Sequence, residues 1–360
     1  MTLQIRLASL LLTLTVGTAA YGQTPAQTAE AKGMAAIKLM DAGKLDESIA
    51  LLQEARQLDP SRSAYRYELS YAYYQQKKYP QALELAEPLV QLPDASDRTF
   101  ELLGNLYDNS GNATKAIETY EAGLRKFPKS GRLQLELGIV YMGAKNYDKA
   151  IGYFEDGIKV APAFSSNYYW AARLLFNSTE KVWGMLYGET FMNLERNSPR
   201  TAEVSKLLYD TYQSQITFKG LDTTRVNFSS STILVPAKGQ KLKLPYGSMV
   251  YEPVLLVALG KERTLDAFAL DRIRTSFVEN YYRLPFSKDK PNALFEYQQR
   301  LLQAGHLEAY NHWLLMMGNE AAFGEWEKAN PGKWQSFAAW FQANPLSLND
   351  SHRLYRQQFD

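Results

Sequence analysis

Apolar positions recur along the first half of the chain with a step of 34 residues. Leu69, Leu103 and Leu137 share one phase, Tyr73, Tyr107 and Tyr141 a second, and Ala82, Ala116 and Ala150 a third, while Pro128 and Pro162 keep the same step. Within each block, a leucine, a small residue and a tyrosine at three- and four-residue intervals make one apolar stripe, which predicts a first helix. An alanine followed four residues later by a large side chain makes the facing stripe of a second helix. Neither helix can bury its face alone, so the pattern predicts helix pairs that stack on their neighbours into a continuous core. Gly104, Gly138, Ala116 and Ala150 permit close approach, and Tyr107 and Tyr141 fill the space between turns.

The blocks Phe100, Leu103, Gly104, Tyr107, Ala116, Tyr120, Pro128 and Gln134, Leu137, Gly138, Tyr141, Ala150, Phe154, Pro162 match the tetratricopeptide pattern of aromatic, Leu-Gly, Tyr, Ala, Phe and Pro, the second lacking the first aromatic. Leu69, Ser70, Tyr73, Tyr79 and Ala82 fit one step upstream, where Pro88 and Pro93 predict a distorted second helix. Leu39, Gly43, Leu45, Ser48, Leu52, Ala55 and Pro60 fit one step further. The chain thus resembles the tetratricopeptide repeat family, with four repeats over about residues 29–162. Ala171, Leu175 and Gly184 continue the phase into a degenerate fifth at about 165–199, although Pro199 comes late.

The resemblance implies an all-α repeat solenoid that binds a protein or extended peptide on the concave surface lined by its first helices. By register, that surface receives Ala64, Tyr67, Tyr71, Tyr74 and Gln75 from the second repeat, and Arg98, Glu101, Asn105, Asp108 and Asn109 from the third. The fourth adds Arg132, Leu135, Ile139 and Met142. Tyr67, Tyr71 and Tyr74 fall on one helical face, where an apolar ring with a polar tip suits an interface; packing against the neighbouring repeat is the competing reading. Asn105 with Arg98 and Arg132 resembles part of the carboxylate clamp of peptide-binding members, but Glu101 and Glu136 stand nearby and oppose a carboxylate.

From residue 200 the pattern changes. Thr201 to Gln213 reads as a helix, and residues 217–247 read as a long loop with short strands drawn from Val226-Asn227-Phe228, Thr232 to Val235 and Leu242 to Pro245. Helical signals return from residue 248: Glu252 to Leu259, Leu265 to Arg283, Pro291 to Gln303, His306 to Met317, Ala321 to Lys328 and Lys333 to Ala343. An irregular helical C-terminal domain is expected, capping the array or offering a second surface.

At the other end, Arg6, the apolar run Leu7 to Val16 and Ala20-Tyr21-Gly22 resemble a signal peptide cleaved before Gln23. The run is shorter than a spanning helix needs. Export to a periplasm or beyond is the expectation, without stable membrane insertion.

Composition narrows the chemistry. With 40 Lys and Arg against 38 Asp and Glu, the formal charge is +2, so the chain lacks the electrostatic footprint of a nucleic-acid binder. No cysteine is present, which removes disulfides, thiolate metal sites and cysteine nucleophiles. His306, Glu308, Tyr310 and His312 form a local cluster, but histidines six residues apart on a helix diverge by about 240°. Neither a phosphate loop, a GxSxG elbow nor a metal-spaced carboxylate set is read. The expectation is therefore a scaffold with no catalytic residues, metal or cofactor. The alternatives are a glycan-binding module using Trp326, Trp334 and Trp340, a self-assembling subunit, and an enzyme with His306 or His312 in a deep pocket.

Overall fold

The computed structural model describes residues 24–219, 223–230 and 245–359. The segment read as a signal peptide lies outside them, as do Thr232 to Val235 and Leu242 to Leu244. The chain divides into two compact units, residues 1–94 and 95–360.

The first unit is built from α1 (Pro25–Asp41), α2 (Leu45–Leu58), α3 (Ser63–Gln75) and α4 (Tyr79–Ala86). Thr24 and Gln27 cap α1 reciprocally, each side chain accepting from the other's backbone N–H. Buried serines tie each pair together: Ser48 Oγ donates to the Ala36 carbonyl and Ser70 Oγ to the Ala82 carbonyl, both at 2.8 Å. α4 stops at Ala86 and passes into a 3₁₀ turn, Glu87–Gln91, that holds Pro88. This is the distortion the two prolines predict, since proline removes an N–H from the helical ladder.

The second unit opens with three helix pairs: α5 (Asp97–Asn109) with α6 (Ala113–Lys126), α7 (Gly131–Gly143) with α8 (Tyr147–Val160), and α9 (Ser165–Phe176) with α10 (Lys181–Leu194). The turn between paired helices takes a left-handed residue at the same repeat position in both units: Gly43, Lys77, Gly111 and Lys145 have φ of 74°, 58°, 80° and 59°. Glycine adopts this conformation without the Cβ penalty that the two lysines carry. Close approach is built in as well. A Cβ on Gly104 would lie 2.1 Å from the Tyr120 ring, and one on Gly138 2.2 Å from the Phe154 ring.

After α11 (Pro199–Gln215), the chain makes an antiparallel hairpin of β1 (Ile216–Lys219) and β2 (Thr223–Val226), with Ile216 opposite Val226. Of the suggested runs, only Val226-Asn227-Phe228 lies wholly within the described residues. Only Val226 is shared; Phe228 is instead a core side chain, because its ring is pinned between Tyr212 and Tyr251. A π-helical turn, Gly247–Tyr251, leads into α12 (Glu252–Leu259). There follow α13 (Ala267–Arg283), the short α14 (Phe286–Asp289), α15 (Ala293–Gln303), α16 (Leu307–Leu315), α17 (Glu320–Ala329) and α18 (Pro331–Ala343).

One hydrophobic core runs through this unit from Leu135 to Phe359. Its axis is α10, where every residue from Val182 to Asn193 is buried. A helix that is enclosed on all sides cannot be read by one-sided amphipathicity. The helices after residue 200 wrap it, so they share their core with the repeats.

Candidate functional site

In the first unit, neighbouring helices α1 and α3 present Met34, Ile37 and Tyr71 to solvent at 57%, 40% and 38% exposure. Tyr67 and Tyr74 are half-buried. The Tyr74 ring stacks on Tyr71 and tilts against Tyr79, both at 6.2 Å, so the three tyrosines divide: Tyr71 is offered outward and Tyr74 is partly occupied by packing. Met34 and Ile37 were not singled out from the sequence. Their signal was present, since they stand one repeat step before Glu68 and Tyr71, off the stripe of Ala29, Gly33, Ala36 and Met40 that α1 buries.

In the second unit, α5 and α7 lie side by side and carry the remaining candidates. Arg98 and Asn109 are exposed, and Asp108 is half-buried. The Asn105 side-chain oxygen accepts from the Tyr120 hydroxyl, while Asn109 Nδ2 donates to the Asn105 carbonyl at 2.9 Å. Arg132 forms an ion pair with Glu101 at 3.2 Å and lies over the Phe164 ring. Leu135, assigned by register to this face, is buried in the core, and its neighbour Glu136 stands on the face instead. Leu135 joins the core built with Ala150, Phe154, Ile158 and Tyr168, so the following helices cover it. Half-buried Ile139 and Met142 extend the surface along α7.

The charge balance here differs from a carboxylate clamp. Burial, and then the adjacent Glu101, push the Glu136 carboxyl up to about 7; Arg132 opposes this and Asp108 adds to it. Burial also raises Glu101, against the pull of Arg132. With Arg132 already engaged by Glu101, this face holds the carboxyl groups of Glu101, Asp108 and Glu136 near Arg132, with Arg98 exposed beside Glu101. An acid whose folded pKa is raised keeps a proton that the unfolded chain has lost, so stability falls as pH rises from about 4.5 to about 7. Glu136→Gln is therefore expected to raise the melting temperature at pH 8 by about 2 °C or more while leaving it nearly unchanged at pH 4, as read by thermal denaturation monitored by circular dichroism.

The buried charges of Glu189 and Arg274 form a closed network. Arg274 donates to Glu189 at 2.7 Å, to Asn311 at 2.8 Å and to the Tyr212 hydroxyl at 3.0 Å. Gln298 and Tyr310 also donate to the same Glu189 oxygen, at 2.5 and 2.8 Å. The void beside them is about 10 Å³, at the lower limit for a single water. Five helices, α10, α11, α13, α15 and α16, meet here, and the arrangement is structural.

His306 and His312 do not converge. His306 lies against Trp340, and His312 stacks on Trp326 with ring centroids 4.5 Å apart. Burial holds His312 down to about 4, partly offset by Glu308. Neither histidine lines the cavities around α8, β2 or Glu189. Trp326 is buried, while Trp334 and Trp340 are half-buried and packed against the core. Among the described residues, no group of three or more His, Cys, Asp or Glu side chains is placed to hold a metal ion, and no helix is long and apolar enough to cross a membrane.

Residues 34–96 and 102–166 match the family model described as tetratricopeptide repeat. Tetratricopeptide repeat protein 21B of Mus musculus is 41% identical over 64 residues, which is 18% of this chain and 5% of that protein. The Homo sapiens protein of the same name is 28% identical over 149 residues, 39% of this chain and 11% of that protein. The chain thus spans a small part of these curated relatives. Among solved structures, pilF of Pseudomonas aeruginosa aligns at 17% identity with a TM-score of 0.45, covering 53% of this chain and 87% of that one. YrrB, described as a TPR protein with an unusual peptide-binding site, aligns at 14% identity with a TM-score of 0.34, covering 47% and 87%.

Proposed function

We propose, from the premise that residues 34–96 and 102–166 are tetratricopeptide repeats, that this protein is an exported scaffold that holds a partner protein or extended peptide on the inner faces of its first helices. The observation that carries the reading is the outward display of Met34, Ile37 and Tyr71, large apolar side chains left in water on adjoining helices of one unit. Covering them recovers roughly 25 cal/mol for each Å² of apolar surface. Tyrosine adds a rigid ring with a hydroxyl that can hydrogen-bond at low entropic cost.

In the second unit, Arg98, Asn105, Asp108, Asn109 and Arg132 contribute polar recognition. Glu101 and Glu136 disfavour a terminal carboxylate and favour a segment that brings a basic or neutral donor group. Such a site positions a partner and does no chemistry on it. Export rests on the basic, apolar and small-residue order of residues 1–22.

Affinity capture from an envelope extract, with mass spectrometry of the retained proteins, tests the reading. The chain from Gln23 is expected to retain a partner that the Tyr67→Ser, Tyr71→Ser, Tyr74→Ser triple variant loses by tenfold or more, with helicity unchanged. Equal retention by both would move the site away from this face. Cell fractionation tests export: recovery in the cytoplasm at full length would overturn it.

A further inference from the structure

The segment after α18 has little regular structure of its own, and it is held by side-chain anchors. Leu346, Leu348, Leu354 and Phe359 are buried, whereas Ser347, Asn349, Asp350, Ser351, Gln357 and Gln358 between them are exposed. The segment crosses α8 and α10, the second helices of two helix pairs. Arg353 donates to the Lys159 carbonyl at 2.8 Å, at the end of α8. Arg356 then reaches Glu155 on α8, with Nη2 2.9 Å from the carboxylate, and its backbone N–H donates to the Tyr187 hydroxyl of α10 at 2.8 Å. Tyr187 in turn donates to Glu155 at 3.1 Å, and Gln357 Nε2 donates to the same carboxylate. Three residues beyond Arg356, the Phe359 ring fills a pocket between Trp183 and Tyr246, with centroids 5.6 and 4.4 Å away, while Lys290 donates to its carbonyl.

Glu155 is the telling group. It is 1% exposed, yet it projects from a repeat helix whose other buried positions, Ala150, Phe154, Gly157 and Ile158, follow the apolar pattern. A carboxylate is tolerated there only with a cation and hydrogen-bond donors supplied to it, since an unmatched buried charge costs several kcal/mol. The groove supplies a donor from Tyr187, and the segment that lies in it supplies a cation from Arg356. The pairing of a buried acid with an apolar slot, about one arginine and two spacer residues apart, is the layout of a peptide-recognition site, with one charge-assisted anchor and one aromatic anchor.

We propose that the groove formed by Glu155, Tyr187, Trp183 and Tyr246 is a second peptide-binding site, filled in cis by the chain's own residues 351–359. Its ligand class is an extended segment that carries an arginine followed three residues later by an aromatic ring. The site is separate from the inner faces of the first helices, and the same segment supplied in trans competes for it.

The exposed turn at Asn349, Asp350 and Ser351 allows a direct test. A protease recognition sequence inserted there is cut in the folded, full-length protein, and a fluorescent synthetic peptide of residues 351–359 is added while anisotropy is followed. The cut protein is expected to keep its helicity and to take up the labelled peptide, and unlabelled peptides carrying Arg356→Ala or Phe359→Ala are expected to compete at least tenfold more weakly than the parent peptide. Loss of fold on cutting, absence of exchange, or equal competition by the Arg356→Ala peptide would each overturn the proposal. A second, uncut variant, Arg356→Ala in the full chain, is expected to remain folded and to bind the labelled peptide, which the parent chain excludes; if the folded variant excludes it too, the segment is fixed structure and not a displaceable ligand. The triple tyrosine variant is expected to behave as the parent in every arm.

Discussion

Arg274→Leu is expected to destabilise the protein by about 3–5 kcal/mol in urea denaturation, the range for breaking a buried ion pair from one side. The substitution leaves Glu189 buried with its charge unmatched, although Gln298 and Tyr310 still donate to it. It also strips Asn311 and the Tyr212 hydroxyl of the donor each receives from the guanidinium. Arg274→Lys should recover only part of the loss, because one ammonium cannot reach three acceptors set at the spread of a planar fork. The double variant Glu189→Leu, Arg274→Leu should be milder than Arg274→Leu alone, since no uncompensated charge remains. It should still fall short of the parent, because the polar groups around the pair lose their partners. If the double variant is the worse of the two, the pair stabilises by its own attraction and the desolvation argument fails.

Phe154→Ala is expected to cost about 3–5 kcal/mol, as for a large ring removed from a filled interior. Phe154 is fully buried at the center of the α7–α8 pair, and its ring is the surface that Gly138 approaches. Gly138→Ala should cost about 1–3 kcal/mol alone, because the new Cβ would stand 2.2 Å from that ring in a pair with no slack. The two losses should not add. With the ring gone, the alanine methyl has room, so the double variant is expected to be less destabilised than the sum by about 1 kcal/mol or more. Additive losses would mean that helix backbones, and not the ring, limit the approach. The same relation holds one repeat earlier between Gly104 and Tyr120.

These two predictions come from different levels of information. The glycine and its ring are separated by a fixed step within one repeat, and that step is visible as soon as the chain is aligned on itself. The helices of the C-terminal half were also legible as segments. Glu252 to Leu259 agrees with α12 to the residue, and the other helices shift at their ends by only a few residues, because capping residues and prolines such as Asn292 and Pro331 act locally. The strand β1 was not read, because a short strand depends on its partner and only Ile216 and Phe218 mark it as apolar in alternation.

The candidate site was legible in part. Tyr67, Tyr71 and Tyr74 could be placed on one helix face from spacing alone, but whether a ring meets water or another ring depends on the neighbouring helix, and Tyr79 decides that for Tyr74. Arg132 and Asn105 were read as part of a clamp with Glu101 nearby; pairing with Glu101 and Tyr120 changes what each can offer a ligand. Leu135 was placed on the face by its register, and only the helices that follow α7 decide that it is covered.

What the sequence by itself determined is everything carried by short-range geometry: the repeat step, the paired helices, the turns, and the absence of cysteine chemistry. Tertiary structure alone decided which charges are matched. Glu189 meets Arg274 across 85 residues, and Glu155 meets Arg356 across 201. Helix periodicity repeats within a few residues and fixes a face; the partner of a buried charge is chosen by where distant elements converge, and no local pattern encodes that distance.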